Sequence, residues 1–260
     1  MLRIGDADLT HWLGAFFWPF LRTMALFAVA PGFGSSAIPG RVKVALAFVT
    51  ALLLAGTVRS TAPLTLSPEA AVLVFEQIAV GLAIGFAMQL ALGAAAFAGD
   101  LVGVQMGFGF AGLLDVQTRF EVPVIADFFG LLALLLFLVL DGHLLLLGVL
   151  AKSFEVVPIA AGPGIAAEGW HVLVGAAAAL FQMGLWLALP VLAVLLAAHA
   201  AMALLSRVAP QINLMSVGFS VFMWVGIAAT IAVIPFFTPA VGRMIETGLR
   251  AAHAALAMQP

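Results

Sequence analysis

Long apolar runs fill most of this chain and constrain its fold more than any other feature. About 20 consecutive apolar residues are enough to cross the hydrocarbon core of a bilayer. Hydrophobic residues make up 65% of the 260 residues and charged residues only 8%, a far more apolar composition than that of soluble domains. Six runs are found, over residues 12–33, 42–58, 70–99, 124–150, 170–206 and 214–238. The chain therefore belongs in or beside a bilayer, with membrane lipid as one partner.

Helices are the expected structure of these runs, because backbone groups without hydrogen-bond partners are costly in lipid. No run shows the alternating pattern of a membrane β-barrel strand. The runs over 70–99 and 170–206 are longer than a straight span needs, and Pro190 is expected to kink the second. Since the connections are short, the sequence predicts an all-α, multi-pass membrane protein of about six nominal hydrophobic segments, with long kinked helical hairpins, forming one domain over residues 1–260.

The composition argues against several classes of function. Cysteine is absent, so a disulfide, a thiolate nucleophile and a thiolate metal site are excluded. The formal net charge of −2 argues against a nucleic-acid-binding surface, which needs clustered lysine and arginine. The histidines within the runs show no i, i+4 pairing, and no paired carboxylates or Ser–His arrangement is found. We therefore predict a protein that is not an enzyme and that holds no metal or cofactor.

Small residues recur along the third apolar run and beyond it, on two faces of the expected helix. Such stripes let another helix backbone approach closely. Two interpretations stay open at this point, packing within the chain and packing between subunits. Subunit packing is predicted for Gly81, Gly85, Ala91, Ala95, Gly99 and Gly103.

A segment rich in glycine and phenylalanine follows these stripes. Its glycines match the Gly-x-Gly-x-x-Gly spacing of the dinucleotide fingerprint, but the strand and helix that this motif needs are missing. Closely spaced glycines break a helix and allow a loop to change shape, and Met106, Phe108 and Phe110 add bulk. This combination favours a plug that closes a channel, and the alternative is an exposed loop at a helix end. The segment, called the plug segment below, comprises Gln105, Met106, Gly107, Phe108, Gly109, Phe110 and Gly112.

Ionisable side chains interrupt the apolar runs. Each costs roughly 2.5–3.5 kcal/mol to insert, so such groups usually face protein or water and often pair. Structural ion pairs that hold helices or subunits together are the favoured interpretation. A proton relay is the alternative, and it would make the protein a proton-coupled secondary transporter. The predicted intramembrane polar residues are Arg22, Glu76, Asp100, Asp127, Asp141 and His143.

Four stretches, taken in order, carry a resemblance to a known family. They are residues 30–35 with 38–43, residues 105–110, residues 141–143, and a last group of Pro190, Arg207, Pro210, Gln211 and Asn213. With them the whole chain resembles the FliR family of export-gate proteins, which serve flagellar and virulence type III secretion systems. No single stretch is diagnostic, and the match depends on their order and spacing.

The resemblance implies a more specific function than the residues alone do. Family members are structural subunits of the protein export gate, which implies a place in the bacterial inner (cytoplasmic) membrane, at the flagellar basal body. The implied partners are FliP-like P subunits and FliQ-like Q subunits, which form a helical pseudo-ring with this chain, and a FlhB-like export-switch subunit. Unfolded secreted proteins pass through the centre, and the plug segment is implied to project into that channel.

Overall fold

The computed structural model describes the backbone of residues 6–56, 58, 67–108, 123–159, 165–208 and 214–257, and the side chains of the same residues except 6–12 and 214–217. Within these ranges all regular secondary structure is helical and no strand occurs. The helices are α1 (Asp6–Val29), α2 (Gly40–Ala55), α3 (Pro68–Met106), α4 (Val124–Val139), α5 (Gly142–Val156), α6 (Ala167–Val208) and α7 (Leu214–Ala257). The prediction of an all-α fold is confirmed.

Four of the predicted apolar runs each correspond to one helix. The runs over 12–33, 42–58, 70–99 and 170–206 fall on α1, α2, α3 and α6. Helix α6 continues through Pro190, as helices in apolar surroundings do when neighbouring groups compensate for the missing backbone donor.

The run over 124–150 forms two helices, α4 and α5, instead of one. They are separated by Leu140 and Asp141, and Asp141 has a φ of 55°, in the left-handed region. Its carbonyl accepts hydrogen bonds from the backbone N–H groups of Leu144 and Leu145, at 2.9 and 3.0 Å. Aspartate tolerates this conformation better than bulky residues do. The second helix therefore begins directly after the first, and the apolar pattern alone did not reveal the break.

Helix α7 is longer than predicted, because it passes through Pro235 and Pro239 and ends at Ala257. The predicted apolar run ended at residue 238, and the charged residues Arg243, Glu246 and Arg250 follow it. In the extension, Arg250 lies 3.4 Å from Glu246, one helical turn earlier. Such an i, i+4 pair supports a helix whose surroundings are polar.

Within the described part of the chain, three helices are long and apolar enough to cross a membrane, namely α3, α6 and the part of α7 from Gly218. A fourth span results if α4 and α5 are counted together across their break. Helix α2 has 16 residues, and at about 1.5 Å per residue it is about 24 Å long, against a hydrocarbon core of about 30 Å. The six nominal segments thus correspond to three or four full spans and to shorter apolar helices.

The chain divides into two compact units. Unit 1 is formed by Met1–Ala91, Asp141–Ala177 and Ile245–Pro260, and unit 2 by Leu92–Leu140 and Ala178–Met244. The boundaries fall inside α3, α6 and α7, so each of these helices contributes one stretch to each unit. The single domain over residues 1–260 stays a prediction.

Each unit has an apolar interior of its own. In unit 1, Trp18, Leu26 and Phe27 of α1 are almost completely buried. In unit 2, the rings of Phe129 and Phe237 meet edge to face, with 4.9 Å between their centroids, a geometry that aromatic pairs favour. These interiors hold the end of α3 and the polar residues described next.

Candidate functional site: the end of α3 and the buried polar cluster

Helix α3 ends in a defined capping structure at the start of the plug segment. Gly107 has a φ of 89°, and its N–H donates to the carbonyl of Val104 at 3.0 Å. The N–H of Phe108 donates to the carbonyl of Gly103 at 3.1 Å. This pair of bonds around a left-handed glycine is the Schellman motif, which satisfies the last carbonyls of a helix. Gly107 therefore ends α3 at one fixed point.

The described residues of the plug segment differ in their surroundings. Gln105 and Met106 are the last residues of α3, and the side chain of Met106 is fully buried. Phe108 is half-buried. Met106 is therefore a packed helix residue, whereas Phe108 is the first bulky side chain beyond the helix. The remaining predicted plug residues, Gly109, Phe110 and Gly112, lie outside the described residues.

The glycines in the first half of α3 bring α1 close. A Cβ atom at Gly81 would overlap the carbonyl oxygen of Arg22. At Gly85 it would lie 2.8 Å from the carbonyl oxygen of Leu26 and 3.2 Å from the backbone nitrogen of Ala30. Only a residue without a Cβ allows this approach of two helix backbones. At these two positions the structure shows packing within the chain.

The later small residues of α3 are also covered by helices of the same chain. A Cβ at Gly99 would overlap the backbone of Ile125 and Ala126 at the start of α4. Ala95 is fully buried, and Ala91 lies against Gly248 of α7. At Gly103 a Cβ would make an ordinary contact with Ile125, at 3.8 Å. Helices of the same chain thus cover most of this stripe, and subunit packing at the six small residues of α3 stays a prediction.

Arg22 of α1 is completely buried and forms the centre of a polar cluster in unit 1. Its Nε donates to Oε1 of Gln77, its Nη1 to Oγ of Ser153 and its Nη2 to the carbonyl of Val157, each at 2.9 Å. The guanidinium carbon lies 4.1 Å from the ring centroid of Phe154, within the range of a cation–π interaction. One side chain therefore joins α1 to α3 and to the end of α5.

The three hydrogen bonds described above join Arg22 to neutral acceptors. Its bond to Val157 satisfies a carbonyl at the end of α5, where a positive charge is also favoured by the helix dipole. The carboxylate of Glu76 adds a favourable coulombic interaction. The described hydrogen bonds thus link Arg22 to neutral groups, and a structural ion pair involving Arg22 or Glu76 stays a prediction.

The other predicted polar residues lie elsewhere. Asp100, Asp127 and Asp141 are exposed in the chain, and His143 is half-buried. Among the described residues, no group of three or more histidine, aspartate or glutamate side chains is close enough to hold a metal ion. The structure therefore brings Arg22 and Glu76 close to each other, but it places the three aspartates on exposed surface.

Sequence reasoning missed the neutral partners of Arg22. Gln77 is fully buried and lies inside the apolar run over 70–99, and Ser153 is almost fully buried and lies just beyond the run over 124–150. A polar residue within or beside an apolar run was the available signal. Their distance from Arg22 along the sequence, 55 and 131 residues, gave no means of pairing them.

Comparison with known proteins decides the family. The family described as "Bacterial export proteins, family 1" matches residues 13–248. The chain belongs to this family, which includes FliR. It is 40% identical to the flagellar biosynthetic protein FliR of Pectobacterium carotovorum over 92% of this chain and 91% of that protein. It is 36% identical to the FliR of Escherichia coli K12, with the same two shares covered.

More distant FliR proteins match as well. The flagellar biosynthetic protein FliR of Bacillus subtilis is 30% identical, over 78% of this chain and 80% of that protein. The family match contains α2 to α6, most of α1 and α7, the plug segment and the cluster around Arg22. Both features therefore belong to the part of the chain that is shared with bacterial export proteins.

Replacing Arg22 tests the polar cluster. We expect Arg22→Met to lower the free energy of unfolding by about 2–4 kcal/mol, because three buried acceptors lose a charged donor. Arg22→Lys should lower the free energy of unfolding measurably but by less than Arg22→Met does, since one ammonium group cannot reproduce the planar fork of donors. The measurement is chemical unfolding of the purified chain in mild detergent.

The matched control is Arg250→Met on α7. The side chain of Arg250 is 75% exposed beside Glu246, so its loss should change the stability by no more than about 0.5 kcal/mol. Equal effects at positions 22 and 250 would contradict the structural role of the buried arginine.

A second variant tests the end of α3. Gly107→Ala should destabilise the chain by about 1–2 kcal/mol, because alanine is strained in the left-handed conformation. The control is Gly103→Ala, one turn earlier in the same helix, where the Cβ has room and alanine is the better helix former. Unfolding in mild detergent measures both, and Gly107→Ala proving as stable as Gly103→Ala would contradict the proposed cap.

Proposed function

We propose that the protein is a structural subunit of the flagellar type III protein export gate and forms part of its protein-conducting channel. The observation that carries this proposal is the family match over residues 13–248 together with flagellar FliR relatives that align over nearly their whole length. In this role the protein acts on unfolded secreted proteins by giving them a path, and it uses no catalytic group.

The surface of the helices supports a place in a membrane beside other subunits. The inner membrane at the flagellar basal body is the location that we propose, on the strength of the flagellar relatives. Large apolar side chains are exposed on several helices, including Leu53 and Phe75 at about three-quarters exposure and Trp186 and Trp224 at 68%. Soluble proteins rarely leave such surfaces in water. FliP-like P subunits, FliQ-like Q subunits, a FlhB-like export-switch subunit and lipid are the partners proposed to cover them.

The structure of the end of α3 supports the proposal that the plug segment closes a channel. The glycine cap fixes where the helix stops, and Phe108 follows at once. Irregular backbone at membrane depth is tolerated where it is buried in protein or lines a cavity. A segment of glycine and phenylalanine that starts from a rigid helix end is suited to close a narrow channel and to be displaced by a passing chain.

Removing the bulk of the plug segment tests this role in the assembled gate. Deletion of residues 107–112, and separately Phe108→Ser with Phe110→Ser, should increase the leakage of ions through membranes that contain the complex. The physical reason is that polar, smaller side chains no longer keep water out of the constriction. Leakage is measured as the decay of an ion gradient in vesicles, after assembly has been verified by gel filtration.

Phe108→Leu with Phe110→Leu is the matched control, because it retains apolar bulk at both positions. We expect its membranes to stay nearly as tight as those of the unmodified complex. If the serine and deletion variants assemble normally and their vesicles leak no faster than the leucine control, the plug proposal is rejected, while the subunit role of the protein is not affected.

A further inference from the structure

The first residues of the plug segment, Gln105–Phe108, pack against one face of α7. Phe219, Phe222 and Gly226 are three or four residues apart and therefore share a helix face. A Cβ at Gly107 would lie 3.2 Å from the ring of Phe219. A Cβ at Gly226 would overlap the side chain of Met106, with 2.6 Å to its Cγ and 3.1 Å to its Sδ. All of these residues belong to unit 2.

Gly226 therefore provides a slot for Met106. The methionine side chain is fully buried, and the space it occupies exists only because position 226 has no side chain. Protein interiors tolerate an additional methyl group poorly, because neighbours must move to make room. Since Met106 is directly followed by the capping glycine, a displaced Met106 also displaces the point at which the plug segment leaves α3.

The same face of α7 is held by α6. The rings of His199 and Phe222 stack with 3.7 Å between centroids and 15° between planes. Nδ1 of His199 lies 2.7 Å from the carbonyl oxygen of Leu195, so this nitrogen donates and fixes the ring orientation. Gly218 lies next to Phe222 and Met202. A Cβ at Gly218 would lie 3.4 Å from the ring of Phe222 and 3.9 Å from the terminal methyl group of Met202. The α6–α7 pair thus forms a firm support under the end of α3.

We propose that Gly226 and Phe219 are positioning residues for the plug segment, and that the face of α7 they share with Phe222 is the seat that sets where this segment starts. The proposal rests on the plug role proposed above. It assigns a function to α7 that neither the apolar pattern nor the glycine-rich motif indicates. Its consequence is that a change on α7, distant in sequence from the plug segment, alters the position of Phe108.

The test is the accessibility of position 108 in the assembled complex. The chain has no cysteine, so Phe108→Cys introduces a unique thiol into it. We expect Gly226→Ala to raise the rate at which a membrane-impermeant maleimide labels this thiol by about tenfold, the effect of a bias of about 1.4 kcal/mol between seated and displaced positions. Complex assembly should be unchanged. In Gly226→Ala alone, with Phe108 in place, ion leakage should increase.

Two further variants make the outcome specific. Gly242→Ala on the same helix adds a methyl group where nothing lies within 4 Å, so labelling should match the parent. Met106→Ala combined with Gly226→Ala removes the overlapping atoms, and its labelling rate should fall back towards that of Met106→Ala alone. A double variant that labels as fast as Gly226→Ala alone would show that the slot does not hold Met106.

The results separate this proposal from the plug itself. If deleting residues 107–112 causes leakage but Gly226→Ala changes neither labelling nor leakage, the seat is rejected and the plug stands. If Gly226→Ala changes labelling while the deletion causes no leakage, the seat stands and the plug is rejected. If Gly226→Ala does not assemble, Phe219→Leu, which shrinks the ring against Gly107, must raise the labelling rate, and an unchanged rate overturns the proposal.

Discussion

The structure depends on one constraint, which is that the chain carries more apolar helix surface than it can bury by itself. In the most apolar stretch of α3, 50% of the residues are buried within the chain, but in α6 and α7 only 28% and 22% are. Where α3 is buried, glycine and alanine let other helices approach closely, as at Gly81, Gly85 and Gly99. The exposed apolar faces of α6 and α7 need lipid or neighbouring subunits to cover them, and this need links the fold to a role inside an assembly.

Apolar packing alone does not fix which helices pair, since lipid tails are as apolar as the helices themselves. Arg22 supplies directional contacts that fix the pairing of α1. Among the described residues it is the one charged side chain that is completely buried, and its partners come from α3 and from the end of α5. A different alignment of α1 would leave this charge without donor–acceptor pairs in an apolar interior, at a high cost in free energy. We infer that Arg22 determines the alignment of α1 in unit 1.

The sequence was sufficient to predict the helices and the class of the protein, because long apolar runs allow few other structures. It was insufficient where one residue changes the course of the chain. The leucine-rich run that contains Asp141 gave no sign of two helices, since a left-handed aspartate inside an apolar run has the same composition as a continuous span. The apolar run over 214–238 gave no sign that α7 continues to Ala257. The glycines of α3 were identified as packing residues, but their partners became known only from distances across the fold, as did Gly226 and Phe219 beneath the plug segment.

Purification from native membranes in mild detergent tests most directly whether neighbours complete this chain. The account predicts that the tagged protein is recovered in a stable complex with FliP-like and FliQ-like proteins, identified by mass spectrometry, which cover the exposed faces of α6 and α7. Recovery of a stable, monodisperse single chain that alone moves a solute with protons in liposomes would contradict the account.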